Sequence, residues 1–176
     1  FISLGVALLT DHGRVLFKNP GQGFRVADCT LQGGGVLSHV VSWTTASIDL
    51  GGGDSLSNQN TGVIFDRLYV NACMPLGADG LFYFGDGTGT NNGTVTSIKG
   101  QLLIRDCHLQ CAVGAKADAI VATANEVTTN TSAMVISIRD SLLQEWTTLF
   151  NNCRNAAKTV RGGVIANISS YALNTD

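Results

Sequence analysis

A short phrase recurs along the chain and constrains the fold more than any other feature of the sequence. It reads IRDCHL at 104–109 and IRDSLL at 138–143, and looser copies read VADCTL at 26–31, IFDRLY at 64–69 and IANISS at 165–170. Aligned on their acidic or amide residue, the copies lie 38, 40, 34 and 27 residues apart. A constant phrase at variable intervals indicates one structural unit that is repeated with loops of different lengths.

In each copy, the Asp or Asn adds one residue to the alternation of apolar side chains and resets its phase. Two short strands that meet at a bend, both with apolar side chains pointing inward, produce this pattern. Asp and Asn suit the bend because they tolerate the left-handed backbone conformation and bond to their own backbone. We therefore predict a structural column of corner residues, formed by Asp28, Asp66, Asp106, Asp140 and Asn167.

The second copy departs from the others at one position. Arg67 stands where the third copy has Cys107, and an arginine cannot point into a dry core without a partner. A two-residue bend at Asp66 and Arg67 removes this conflict. Leu68 and Val70 then face inward, so that the strand after the bend keeps its apolar side.

A second apolar segment follows four of the phrases and predicts a further strand in each unit. These segments are GVLSHVV at 35–41, DGLFYF at 79–84, DAIVAT at 118–123 and TTLFN at 147–151. The composition agrees with β-structure and polar loops rather than a helical bundle, because 14% of the residues are charged and 21 Gly stand against two Pro. A chain of 176 residues suits one domain with a sizeable core.

The repeated pattern resembles the pectate-lyase-like right-handed parallel β-helix, in which an Ile-x-Asn/Asp-Cys-x-Ile/Phe phrase marks the bend of each coil. The resemblance covers roughly residues 24–173. It implies an all-β solenoid of about five to six coils with long loops. Residues 1–23 would form a leading segment or a first partial coil, and 24–176 the β-helix domain. A β-sandwich or jelly roll is the alternative fold, and it explains the strands but not the repeated phrase.

Charge and motif content exclude several classes of function. The net charge is −2 and the basic residues are scattered, so that no basic stripe suited to nucleic acid is present. The apolar start FISLGVALLT is too short to span a bilayer. The five Cys fit no zinc-binding spacing, and no His pattern typical of a metal site occurs. We therefore predict no nucleic-acid partner, no membrane span, no metal and no cofactor.

Two carboxylates are the candidates for catalysis. Asp79 and Asp118 each precede the second strand in neighbouring units, so in a solenoid they lie about 5 Å apart along the axis. A pair at this separation can share a proton, flank a glycosidic bond or hold calcium. The alternative is a pair of turn-capping Asp residues. Whether the chain is an enzyme stays open, and a non-catalytic role is favoured for this chain alone.

Arginine and aromatic side chains are the candidates for saccharide contact. Arg105 and Arg139 fall at equivalent outward positions and should stack, forming either a pair that faces solvent or an interface, or a site for a carboxylate-bearing sugar such as a uronate. Trp43, Tyr83 and Trp146 suit stacking against sugar rings, because they combine an apolar ring with one polar group. Core packing or subunit contact is the alternative for these aromatics.

The ends of a short solenoid need covering by other domains or subunits. This chain resembles bacteriophage tailspikes in its repeated pattern and low charge. In tailspikes three β-helices stand side by side, which meets that need. The leading expectation is therefore a virion surface or tailspike-type structural module, in a homotrimer that contacts bacterial surface polysaccharide. Other virion or surface proteins would cap the ends. The alternatives are a polysaccharide lyase or glycoside hydrolase of the β-helix class and a bacterial surface adhesin, and all three imply a virion-surface or extracellular location.

Overall fold

The computed structural model describes residues 2–4, 15–33, 39–52, 62–73, 80–85, 96–111, 117–123, 130–153 and 155–168. All the regular secondary structure in these ranges is β-strand. In chain order the strands are β1 (Ile2–Leu4), β2 (Val15–Lys18), β3 (Arg25–Gly33), β4 (His39–Trp43), β5 (Ser47–Asp49), β6 (Val63–Cys73), β7 (Gly80–Phe84), β8 (Ser97–Arg105), β9 (His108–Cys111), β10 (Ala117–Thr123), β11 (Asn130–Arg139), β12 (Leu142–Gln144), β13 (Trp146–Asn151), β14 (Ala157–Arg161) and β15 (Val164–Ala166).

The strands form two sheets, and every strand pair in the described ranges is parallel. The smaller sheet has the order β2-β4-β7-β10-β13 and collects the second apolar segments of the repeats. The larger sheet has ten strands, with β14-β11-β8-β6-β9-β12-β15 along its main path and β1, β3 and β5 beside it. Strand β2 lies in the predicted leading segment and pairs with β4, so that residues before 24 take part in the smaller sheet. The protein is therefore all-β with parallel sheets.

A corner divides each unit of the larger sheet into two arms. Asp28, Arg67, Asp106 and Asp140 have φ angles of 56°, 51°, 52° and 49°, the left-handed conformation that lets a strand turn sharply. The strand pairs before and after these residues are in register, so that the four stand on adjacent strands in one column. We call this set the corner column. Gly162, with a φ of 68°, is its fifth member.

The structure corrects two members of the predicted corner. In the second repeat Arg67, not Asp66, takes the left-handed position, and the bend turns Leu68 and Val70 into the core. In the last repeat Gly162 takes the position, with a φ of 68°. Asn167 does adopt the left-handed conformation, with a φ of 56°, but it lies opposite Glu145, five residues beyond the corner column, and its Nδ2 donates to Glu145 Oε1 at 2.6 Å.

A small thiol or hydroxyl side chain after the left-handed residue closes the corner in three repeats. It donates across the bend to the carbonyl oxygen two residues earlier, so the corner is stabilised by a local bond as well as by strand pairing. This explains why the phrase places Cys or Ser after Asp. The bonds run from Cys29 Sγ to Ala27 O (3.3 Å), from Cys107 Sγ to Arg105 O (3.1 Å) and from Ser141 Oγ to Arg139 O (2.7 Å).

An apolar core lies between the two sheets. Phe65 of the larger sheet meets Phe82 of the smaller one edge to face, with ring centroids 4.8 Å apart. Strands β4 and β7 are buried along their whole length, which means that both faces of the smaller sheet are covered there. The corner column lies away from these covered strands, with Asp28, Asp106 and Asp140 exposed.

Candidate functional site

The three aromatics expected at a saccharide surface are core residues. Trp43 and Trp146 are 1% and 0% exposed, and their indole N–H groups donate to the carbonyls of Pro20 (2.7 Å) and Leu109 (2.9 Å). Tyr83 is 2% exposed, and its ring stacks on His39 at a centroid distance of 4.7 Å. Because none of the three rings faces solvent, the expected stacking platforms are corrected to core and strand packing.

The predicted catalytic pair falls largely outside the described part of the chain. Asp79 is not among the described residues, and for Asp118 only the backbone, within β10, is described. The stacking of the two carboxylates therefore stays a prediction. Among the described residues, no group of three or more His, Cys, Asp or Glu side chains is arranged to hold a metal ion. Those ranges also contain no helix long and apolar enough to cross a membrane.

Arginines stack one residue before the corner. Arg105 pairs in register with Arg139, and Arg139 pairs in register with Arg161, so that the three occupy adjacent parallel strands about 4.8 Å apart. We call Arg105, Arg139 and Arg161 the arginine column. Sequence reasoning missed Arg161 because Gly162 and Gly163 follow it, instead of the Asp and Cys or Ser of the phrase.

Asp66 ends the arginine column on the side of the second repeat. It lies opposite Arg105 in the strand pairing, and its carboxylate is buried. The carboxylate accepts hydrogen bonds from Arg105 Nη2 (2.9 Å), from Arg67 Nη1 (2.9 Å) and from Arg25 Nη2. The hydrogen bond from Arg105, together with that from Arg25, holds the pKa of Asp66 down at about 2 despite its burial. Asp66 is therefore ionised at neutral pH.

Arg67 links Asp66 to the first repeat. Its Nε and Nη2 donate to the two oxygens of Asp28 at 2.5 and 2.7 Å, the two-pronged geometry typical of strong arginine–carboxylate pairs. This contact lowers the pKa of Asp28 and raises that of Arg67. We call Asp66 and Arg67, with their partners Asp28, Arg25 and Arg105, the reversed corner.

The name refers to the order of the charges. The second repeat reads Asp66-Arg67, whereas the third reads Arg105-Asp106 and the fourth Arg139-Asp140. The reversal places opposite charges on neighbouring strands, which is the favourable cross-strand arrangement. From the third repeat to the fifth an arginine precedes the corner residue, so that arginine lies opposite arginine. Like charges directly opposite each other repel, and a bound anion relieves that repulsion.

The chemistry open to the arginine column is anion recognition. Guanidinium groups bind carboxylates and phosphates through paired N–H donors. Arg105 Nε is buried and has no hydrogen-bond partner in the structure, so one donor of this group is unsatisfied. Arg161 is exposed at the far end of the column.

No protein-family model, curated protein or solved structure matches the chain.

Proposed function

We propose that this chain is a structural module of the right-handed parallel β-helix type that builds bacteriophage tailspikes, and that as a homotrimer it contacts an acidic saccharide through the arginine column. The main support is the corner column, in which Asp28, Arg67, Asp106, Asp140 and Gly162 stand on successive parallel strands in one register. A jelly roll, by contrast, is built from antiparallel strands. A solenoid explains why the same left-handed corner recurs on each successive strand.

The saccharide part of the proposal depends on Arg105, Arg139 and Arg161. Three neighbouring strands each contribute one arginine, and such a row favours a ligand with several carboxylates over a single small anion. An acidic polysaccharide from a bacterial surface has this repeating charge. The location that follows is the virion surface or the extracellular space.

The partner part of the proposal depends on β15, which ends the main path of the larger sheet among the described strands. Val164 and Ile165 are 58% and 40% exposed there, although both are large apolar residues. Exposed apolar side chains beside unpaired backbone groups favour contact with another chain. Other copies of this chain, or virion or surface proteins that cap the end of the sheet, are the expected partners.

Light scattering on the purified chain tests the trimer. A stable monomer at micromolar concentration would reject it, and saccharide binding by that monomer would favour a surface adhesin. Release of reducing ends from the bound polysaccharide, abolished in Asp118→Asn, would make the chain a lyase or glycoside hydrolase instead.

A binding series tests the arginine column. A polyuronate should bind to the unchanged chain, and binding should weaken strongly in Arg139→Gln and Arg161→Gln and at high salt. Lys18→Gln is the matched control, because Lys18 is an exposed cation on β2, outside the column. Equal binding by all four proteins would refute the site.

A further inference from the structure

Cys73 and Cys111 lie opposite each other on neighbouring strands in the middle of the larger sheet. Val70 on β6 lies opposite Leu109 on β9, and the pairing of these two strands ends at the two cysteines. The Cα atoms of directly opposite residues on parallel strands are about 4.8 Å apart. Disulfides span Cα distances of about 4.4 to 6.8 Å, so the two backbones are close enough for a bond between their thiols.

A β-bulge in β6 creates this juxtaposition. Between the last two residue pairs β6 has two residues, Asn71 and Ala72, whereas β9 has Gln110 alone. Without the extra residue Ala72 would lie opposite Cys111, and Cys73 would fall on the other side of the strand. Bulges are rare between parallel strands, and they reposition the residues that follow them. The bulge therefore brings a second cysteine to the register position opposite Cys111.

The position of Cys111 is closed to solvent. Its side chain is 0% exposed, and it lies on the same inward side of β9 as the fully buried Leu109. A disulfide is apolar and needs no hydrogen-bond partner, so a buried site accepts it without leaving a polar group unsatisfied. Burial also restricts the access of reductants to a bond that has formed.

The other three cysteines have a different role. Cys29, Cys107 and Cys153 each donate a hydrogen bond from Sγ to the carbonyl oxygen two residues earlier. These contacts close bends of the chain, so local structure explains the three thiols. Cys73 and Cys111 instead lie at the ends of two paired strands, in the register that a cross-link requires.

From this register we infer that Cys73 and Cys111 form a cross-strand disulfide when the chain meets a disulfide oxidant such as glutathione disulfide. One protein thiolate attacks glutathione disulfide, which gives a mixed disulfide and releases one glutathione thiolate. The second protein thiolate attacks the protein sulfur of the mixed disulfide and releases the second glutathione thiolate. The two protons lost by the protein thiols end on the two glutathione molecules, so two protein thiols are oxidised and one glutathione disulfide is reduced.

The bond joins β6 to β9 and closes a loop of residues 74–110, which includes β7 and β8. A cross-link across a long loop stabilises the fold mainly because it restricts the unfolded chain. Reducing compartments disfavour such a bond, so the chain gains it after it leaves one. This stabilisation is separate from the arginine column and needs neither a trimer nor a saccharide.

Peptide mapping of the full chain tests the bond. The chain is refolded from urea in a buffer of reduced and oxidised glutathione, its remaining thiols are blocked with N-ethylmaleimide in guanidinium, and it is digested without reductant. Trypsin gives one peptide, 68–99, that contains Cys73, and another, 106–116, that contains Cys107 and Cys111. We expect these peptides to be joined at Cys111, with Cys107 blocked. Five blocked thiols would overturn the inference, and so would a bond from Cys73 to any other cysteine.

Two variants connect the bond to stability. Cys73→Ala removes one partner, whereas Cys107→Ser keeps both and places a hydroxyl at a corner where the next repeat has Ser141. In the oxidised unchanged chain and in oxidised Cys107→Ser, a phosphine reductant should lower the urea midpoint of unfolding by about 1 M. In Cys73→Ala the reductant should have no effect. An equal fall in Cys73→Ala would overturn the inference, and so would a midpoint that the reductant leaves unchanged in all three proteins.

Discussion

The reversed corner and the C-terminal end of the corner column have the same backbone bend but opposite electrostatics. At the reversed corner Asp66 is buried among three guanidinium groups, and Arg67 joins it to Asp28. At the C-terminal end Arg139 lies opposite Arg161, and Gly162 contributes no side chain to the corner. The difference shows that the left-handed bend forms with either order of the charged residues. At the reversed corner the charge order stabilises the fold, whereas at the C-terminal end like charges face each other.

The reversed order also helps to fix the strand register. With Asp66 before Arg67, each charge meets an opposite charge in the third repeat, and a slip of one residue would put Asp66 opposite Asp106. A slip of one residue would also turn the apolar side chains of the strand to the wrong face. Charge order and apolar pattern therefore favour the same register of β6.

Exchanging the two charges of the reversed corner should give the largest effect. The double change Asp66→Arg and Arg67→Asp places an arginine opposite Arg105 and an aspartate between Asp28 and Asp106, so attraction becomes repulsion in both columns. We expect the urea midpoint of unfolding to fall further than for any single change described below. Chemical denaturation followed by circular dichroism measures it.

A second exchange in the third repeat provides the control. Adding Arg105→Asp and Asp106→Arg to the first pair restores an opposite charge for each residue at position 66 and 67, and part of the lost stability should return. If the fourfold variant is no more stable than the twofold one, charge order is not what distinguishes the two corners.

The sequence predicted the bend well and the charges around it poorly. The phrase located Asp28, Asp106 and Asp140, because their repeats keep the Asp and the small residue that bonds across the bend. In the second repeat it predicted a bend at Asp66 and Arg67 with Leu68 and Val70 inward, but it put Asp66 in the corner column, where Arg67 stands, because the reversed charge order kept an Asp at the aligned position. Asn167 was misassigned for a related reason: Gly162 takes the last corner without any side chain to mark it.

The site was harder to predict than the bend because burial depends on what covers the outer faces. Trp43 and Tyr83 are residue types that suit stacking against sugar rings, yet they lie on strands that are buried on both faces. The near-continuous apolar run GLFYF at 80–84 is typical of such buried parallel strands and indicated that Tyr83 lies inside.

Removing the charge of the buried carboxylate should give the next largest effect. Asp66→Asn keeps the shape of the side chain but leaves three guanidinium groups without their shared partner, which should cost about 2–3 kcal/mol of unfolding free energy. The matched change Asp106→Asn alters an exposed carboxylate and keeps a residue that tolerates the left-handed bend, so it should cost less than about 0.5 kcal/mol. Urea denaturation of the two variants compares them directly, and equal losses would contradict the special role of Asp66.

Acid should weaken the reversed corner over a defined range of pH. The pKa of Asp66 is about 2 in the folded chain and about 3.9 when unfolded, so its contribution is complete above about pH 5 and is lost as the pH falls toward 2. The guanidinium groups are 34–50% exposed, and after allowance for screening we expect a loss of about 1–2 kcal/mol. About half of that loss falls between pH 6 and pH 3, so unfolding free energies at these two pH values should differ by about 0.5–1 kcal/mol more in the unchanged chain than in Asp66→Asn. Parallel profiles would contradict the assignment.

Giving the C-terminal end the charge order of the reversed corner should have the smallest effect on stability. Arg161→Asp sets a carboxylate opposite Arg139, and the new cross-strand pair should add about 0.3 kcal/mol at low salt and nothing at 1 M salt. Arg161→Ala, the control, removes the repulsion without adding a pair and should gain less. If the arginine column binds an acidic saccharide, the same Arg161→Asp chain should lose that binding while it gains stability. A gain in stability with binding unchanged would mean that the like charges at this end serve no ligand.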